Sequence, residues 1–359
     1  MKKELIKYSC IALLISASSC LNEHSNSVLS FNSENSAELL IYLEKNGDYI
    51  NSGLAPSLIN ADEVFSGLNN YLILDLRSRN EYENGHIQGA VNISHNELSR
   101  YFFNNDLSRY SKIVMVSQTG QAAAYYCCLV RLLGFNKVYS LNFGMASWNI
   151  NFARIWQENA MDSYFVNSFN DQYYSKGNFT ALPSLRFSDT STTDEKKLKE
   201  RVDKLFQEGF RDNPEDTTNA YNASIPVSDL FSETDPSLNF YLICYGTESL
   251  YYSSSGAAGD PLAGFGHPPG AILYVPNEDL KTTNYLQTLP ATKTLVLYSG
   301  SGQLSACASA YLRLLGYEAK SLLFGGNALI YSRMIWHSSL NDDAFSLSKV
   351  MNYPYSTGN

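Results

Sequence analysis

The sequence predicts an α/β chain built from two like halves, each a parallel sheet flanked by helices. Two observations carry this. Short apolar runs that end in polar residues alternate with helix-length stretches closed by glycine, the pattern of buried parallel strands joined by helical crossovers. The pattern also occurs twice, because SQTGQAAAYYCCLVRLLG at 117–134 is answered by SGSGQLSACASAYLRLLG at 299–316, an offset of 182 residues. Flanking blocks keep the same order: GHIQGAVNI at 85–93 matches GHPPGAILY at 266–274, and SLNFGM at 140–145 matches SLLFGG at 321–326.

Taken in order, the chain opens on MKKELIKYSCIALLISASSC, where Lys2, Lys3 and Lys7 precede an apolar stretch from Cys10 to Ala17 and then small residues. This reads as a signal peptide over residues 1–19, its apolar run too short to span a membrane. Small residues before Cys20 resemble the lipobox of bacterial lipoproteins, in which that Cys is diacylated; Ala17 stands where Leu is usual, which leaves open ordinary cleavage with Cys20 a free thiol. A polar tether over 20–34 is expected to follow, then a leading helix from Ser36 to Asn46 that closes at Gly47.

Residues 35–150 form the first half. Strands are predicted at YLILDL (71–76) and KIVMVS (112–117), and a helix from Gln121 to Leu133 that stops at Gly134. Residues 151–191, rich in Tyr, Phe and Asn, read as a connector that packs on the fold. The second half, 192–345, begins with a helix from Asp194 to Gly209 behind a Thr192/Glu195 capping box, with Leu198, Val202, Leu205 and Phe206 on one face. Strands FYLICY (240–245) and TLVLYS (294–299) follow, and residues 346–359 remain as a tail.

Composition excludes some functions. Of 359 residues, 44% are hydrophobic and 17% charged, so the chain folds, and a net charge of −9 with no Lys/Arg run past the first seven residues makes nucleic acid an unlikely partner class. Past Cys20 the remaining cysteines are Cys127, Cys128, Cys244 and Cys307, with no CxxC and no His at metal spacing, so they read as small core residues and no metal site is expected. His24, His95 and His337 read as surface residues, and Arg131 and Arg313, late on their helices, as cations that complement the C-terminal dipole.

The chemistry-bearing segment is the strand–turn–helix. Ser117-Gln118-Thr119-Gly120-Gln121 and Ser299-Gly300-Ser301-Gly302-Gln303 each gather backbone N–H groups at a helix N-terminus, a concavity suited to an anion or a thiolate. Together with Asp75-Leu76-Arg77, Gly85-His86-Ile87-Gln88-Gly89-Ala90, Arg131-Leu132-Leu133-Gly134, Phe143-Gly144 and Trp148, this resembles the rhodanese family. The second copy resembles it through Gly266-His267-Pro268-Pro269-Gly270-Ala271, Arg313-Leu314-Leu315-Gly316 and Phe324-Gly325-Gly326.

The resemblance implies two rhodanese-like domains and sulfurtransfer, in which a Cys at the head of the loop takes a sulfane sulfur as persulfide, with no cofactor. That position is Ser117 in one copy and Ser299 in the other, and a Ser hydroxyl cannot form a persulfide. No His or carboxylate in either loop is placed to activate it. The expectation is therefore a non-catalytic lipoprotein, anchored outside the cytoplasm on a bacterial membrane through Cys20. It would bind a small anion or a protein in its loop grooves, with Asp75 and Arg77 beside the first. A thiosulfate-type sulfurtransferase using another thiol is the alternative, and a structural envelope protein the third reading. His86 and His267 are expected to hold the GHxxGA turn rather than to do acid–base work.

Overall fold

The computed structural model describes residues 34–188, 193–216, 220–232, 235–253 and 266–358. Cys20, the signal segment and the tether as far as residue 33 lie outside the described residues, as does most of the Gly/Ser/Tyr-rich insertion before Gly266. In chain order the strands are β1 (Glu34–Asn35), β2 (Leu58–Ile59), β3 (Tyr71–Asp75), β4 (Val91–Asn92), β5 (Lys112–Val116), β6 (Val138–Leu141), β7 (Ser184–Leu185), β8 (Ser224–Ile225), β9 (Tyr241–Tyr245), β10 (Ile272–Tyr274), β11 (Leu295–Tyr298) and β12 (Ala319–Leu322).

Two five-stranded sheets result, ordered β2-β6-β5-β3-β4 and β8-β12-β11-β9-β10, and every pairing in them is parallel. Matching each strand of the first to its counterpart in the second gives one strand order, so the repeat in sequence is a repeat in topology. The fold is α/β, two parallel sheets flanked by helices. β1 and β7 add a small antiparallel ribbon that ties the start of the first half to the end of the connector.

Burial explains the central strands. β5 and β11 are apolar and almost wholly enclosed, as a parallel strand covered by helices on both faces must be. Each feeds a helix, Gln121–Leu132 or Gln303–Leu314, and the two helices pack on one another across the middle of the molecule. Cys127 and Cys128 lie beside Cys307 there, and the two helices carry further small residues, Ala123, Ala124, Ala306 and Ala310, all fully buried. Small side chains let two backbones approach closely, so these thiols are core residues, as the sequence suggests.

Reciprocal glutamines lock the pair. Gln121 Nε2 donates to Gly302 O (3.2 Å) and Leu322 O (3.1 Å), and its Oε1 accepts from Phe324 N (2.7 Å). Gln303 returns the arrangement, donating to Gly120 O (3.2 Å) and Leu141 O (3.3 Å) and accepting from Phe143 N (2.9 Å). In the segment that follows the first half, Trp156 is buried between Phe143, Phe324 and Phe345 and donates from Nε1 to Thr119 O.

Two details differ from the sequence reading. The long helix runs Asp194–Glu208 and its cap is Thr193, whose Oγ1 accepts from Lys196 N at 3.5 Å, whereas Thr192 lies outside the described residues. His95 is half-buried, stacked on Tyr126 with Nδ1 2.6 Å from Phe206 O, because the second half covers it. The C-terminal residues also do more than trail. Tyr353, Pro354 and Ser356 run along the first half, where Trp148 Nε1 donates to Pro354 O and the backbones of His86 and Ser356 exchange hydrogen bonds.

Candidate functional site: two glycine-turn loops

Each loop is built by the same device. Gly120 (φ 89°) and Gly302 (φ 80°) cap their helices in the left-handed region, where a β-carbon is costly. The Phe143-Gly144 and Phe324-Gly325 turns then press against the loops, and a side chain at Gly144 or Gly325 would strike the backbones of Ser117 and Gly120 or of Ser299 and Gly302. Those glycines are there for close approach.

In the first loop, Ser117 Oγ lies 2% exposed at the head of the turn and accepts from Gly120 N (3.1 Å) and Ala123 N (3.2 Å). Its proton goes to Asp212 Oδ2, 2.7 Å away. The same carboxylate oxygen accepts from Thr119 N (3.2 Å), Thr119 Oγ1 (3.0 Å) and Ala122 N (3.3 Å). Asp212 comes from the segment after the 194–208 helix, so the second half fills the concavity of the first with a carboxylate.

No cation pairs with Asp212 among the described residues, and burial pushes its pKa up even though the loop's hydrogen bonds pull the other way. Sequence reasoning missed this residue, since it stands 95 positions from Ser117. The signal available was only its place just after a helix, which says nothing about what it reaches.

The first loop opens onto a cavity of about 590 Å³ bordered by Arg77, Glu81, Ser117, Gln118, Asp212 and Asp216, among others. Arg77 does not offer its charge to that space. Its Nε and Nη2 clamp Asp75 (3.0 and 2.6 Å), and Nη2 also donates to Gly85 O (2.7 Å), so the buried pair fixes the turn before His86. Gln118 Nε2 donates to Phe152 O, at the rim. Gln121, named with the loop from sequence, points out of it into the other half, and Gln303 does the same in reverse.

The second loop closes differently. Ser299 Oγ donates to Ser305 Oγ (3.2 Å) and accepts from Ser305 N (3.0 Å), and Ser305 in turn meets Ser321 (2.9 Å). Ser301 Oγ accepts from Gln303 N at 3.5 Å, a turn bond within the loop. Over Gly300 sits the carboxyl of Asp343, where a side chain at residue 300 would collide. Asn327 Nδ2 ties Gly300 O (3.0 Å) to Asp343 O (2.8 Å). Desolvation, then the charge of Asp342, push the Asp343 carboxyl above its ordinary pKa.

The histidines of the GHxxGA turns are packing residues. His86 stacks on Tyr82 at 3.8 Å with Nδ1 at 2.8 Å from Tyr82 O, and His267 stacks on Tyr251 at 3.7 Å. Burial lowers the His267 pKa. The four described cysteines are buried free thiols. Burial pushes Cys127 and Cys244 up to about 12 and Cys128 well above its ordinary value. Among the described residues no group of three or more His, Cys, Asp or Glu could hold a metal, and no helix is long and apolar enough to cross a membrane.

Comparison with known proteins bears on the first half. The family model for the rhodanese-like domain matches residues 60–151. The thiosulfate sulfurtransferase GlpE of Shewanella oneidensis is 38% identical over 80 residues, 21% of this chain and 74% of that protein. An uncharacterized protein of Buchnera aphidicola subsp. Schizaphis graminum is 34% identical over 101 residues, 28% of this chain and 63% of that one. Among solved structures, a thiosulfate sulfurtransferase from Pseudomonas aeruginosa is similar at 14% identity, with 90% of this chain and 70% of that chain covered and a TM-score of 0.25. Through its 60–151 segment the chain belongs to the rhodanese-like family.

Proposed function

We propose that this protein is a non-catalytic tandem rhodanese-like module, carried outside the cytoplasm on a lipid attached to Cys20, that binds a ligand or partner through its loop faces. Ser117 and Ser299 take the place of the family's nucleophile. One observation carries the reading: the concavity that would receive a sulfur anion is filled by the chain's own Asp212 carboxylate, held by two N–H groups and two hydroxyls. A second anion entering that space would find the loop's donors already taken by Asp212. Ser117 is not poised to attack either, since it is buried and the lone pairs of its oxygen are taken by two backbone N–H groups.

The test is thiocyanate formation from thiosulfate and cyanide by the purified chain, which is expected to stay at the uncatalysed rate. A rate above it that survives replacement of Cys127, Cys128, Cys244 and Cys307 would sink the proposal. The second reading, sulfurtransfer, draws on the likeness to GlpE, and loss of such a rate with one particular Cys would establish it. Anchoring is tested separately: labelled fatty acid should enter the wild type and not Cys20→Ala, and equal membrane retention of both would remove the anchor.

A further inference from the structure

The repeat brings Arg131 and Arg313 to corresponding places, late on the two central helices, yet their surroundings differ. Arg313 is satisfied within the chain: Nη1 donates to Asn222 O (2.9 Å) and Ala319 O (3.2 Å), and Nη2 meets Glu208 Oε2 at 2.5 Å. Glu208 comes from the last turn of the helix that leads the second half. Arg131 is 5% exposed, its Nε donates to Val138 O (2.6 Å), and its guanidinium lies against the rings of Tyr49 (5.3 Å) and Tyr139 (5.0 Å).

No carbonyl or carboxylate accepts from the terminal nitrogens of Arg131 among the described residues, and the Cys127 thiol beside it is held protonated by burial. The helix that leads the first half, Ala37–Lys45, sends its glutamates elsewhere. Glu44 takes Thr282 N and Oγ1, both at 2.8 Å, and Glu38 takes Lys197. Where the second half places Glu208, the first half has a cavity of about 670 Å³, against about 360 Å³ beside Arg313.

The cavity walls are chiefly apolar, with Leu43, Leu132, Leu133 and Leu198 inside and the exposed Leu54 and Phe103 at the rim. Its charged lining is Arg131, Lys196, Lys199 and Glu195, and Lys199 is already paired with Asp203, so the site is net positive in a chain of charge −9. A buried guanidinium without an anionic partner is costly, and an anion supplied from outside would do what Glu208 does for Arg313. A pocket of this size, apolar with one fixed polar anchor, is the form taken by small-molecule sites.

We infer that this cavity binds a free medium-chain aliphatic carboxylate, its head on Arg131 and its body along the leucines towards Leu54 and Phe103. This goes beyond the reading of the loops and does not depend on it, because no loop serine or Asp212 borders the cavity.

The experiment titrates the full chain with decanoate, with decanol, and with phosphatidylglycerol vesicles, followed by calorimetry. Decanoate should bind once and saturably, and Arg131→Gln should weaken it by about tenfold or more, the loss of one charge-assisted anchor, while changing decanol binding by less than about twofold. Asn46→Glu, an exposed change at the cavity's edge, should likewise weaken decanoate by setting a fixed carboxylate near the cation, and it decides the matter if Arg131→Gln does not fold. No saturable decanoate binding by wild type, or equal losses for decanoate and decanol in a folded variant, would overturn the assignment. Binding to vesicles without binding to free decanoate would overturn it as well.

Discussion

The two loops share a strand, a glycine cap and a helix, and each is closed by an aspartate, yet in different ways. In the first, Asp212 enters the concavity and takes four donors on one oxygen. In the second, Asp343 lies over Gly300 and the head serine turns inward to Ser305 and Ser321. The first loop is therefore a formed anion cradle with an internal occupant, whereas the second has redirected its hydroxyl into a neutral network. Duplication preserved the backbone device and let its chemistry part.

What remained symmetric is the brace between the halves, and breaking it should have the largest effect. Gln121→Ala and Gln303→Ala each leave one buried N–H, of Phe324 or of Phe143, without its acceptor and remove two bonds to buried carbonyls, so each is expected to cost about 2–4 kcal/mol in chemical denaturation. Unequal losses, with one variant near wild type, would show that the two glutamines do not play matching parts.

Next comes the pair of helix-end arginines. Arg313→Gln leaves Glu208 without its cation and should cost about 1–3 kcal/mol, while Arg131→Gln, which breaks no ion pair, should cost under about 1 kcal/mol. Equal losses in thermal or urea unfolding would contradict the contrast drawn between the two sites.

The loops themselves are compared by thiol substitution. Ser117→Cys alone puts a thiol against the Asp212 carboxylate, so its alkylation should titrate at or above free cysteine. Adding Asp212→Asn removes that charge and leaves the N–H groups and the helix N-terminus, and thiol reactivity at neutral pH should rise by about tenfold, with a one-sulfur mass gain from thiosulfate. Ser299→Cys should remain inert in both respects. A reactive Ser117→Cys single variant would mean that Asp212 does not hold the cradle.

The smallest effect concerns pH. Burial raises the Asp212 pKa in the folded state above its unfolded value of 3.8. Its contribution to stability is thus fully present below that value and lost as pH rises through the folded pKa. Asp212→Asn should flatten this part of the pH–stability curve, and a slope identical to wild type would show that Asp212 titrates as it does unfolded.

Much of the architecture is legible in the sequence because it rests on local signals: the apolar runs at 71–75 and 112–116, the glycines at 120 and 302, and the repeat itself. The site was legible only in part. Ser117 and Ser299 stand where the motif puts them, but the partner of Ser117 arrives from residue 212, and Gln121 spends itself on Leu322 O, contacts that no spacing along the chain encodes. Arg131 and Arg313 look alike in sequence, and only the reach of Glu208 tells them apart.

The path of the C-terminal residues carries a consequence for the order of assembly. The bonds between His86 and Ser356, and between Trp148 and Pro354, close loops of more than two hundred residues. While the chain is being synthesised, this flank of the first half therefore waits for residues 353–356 to emerge. Phe65, which stacks on Tyr353 at 4.0 Å, and the face of Trp148 toward Tyr353 stay uncovered through that interval. Until residues 353–356 emerge, that aromatic patch is open to contact with other chains.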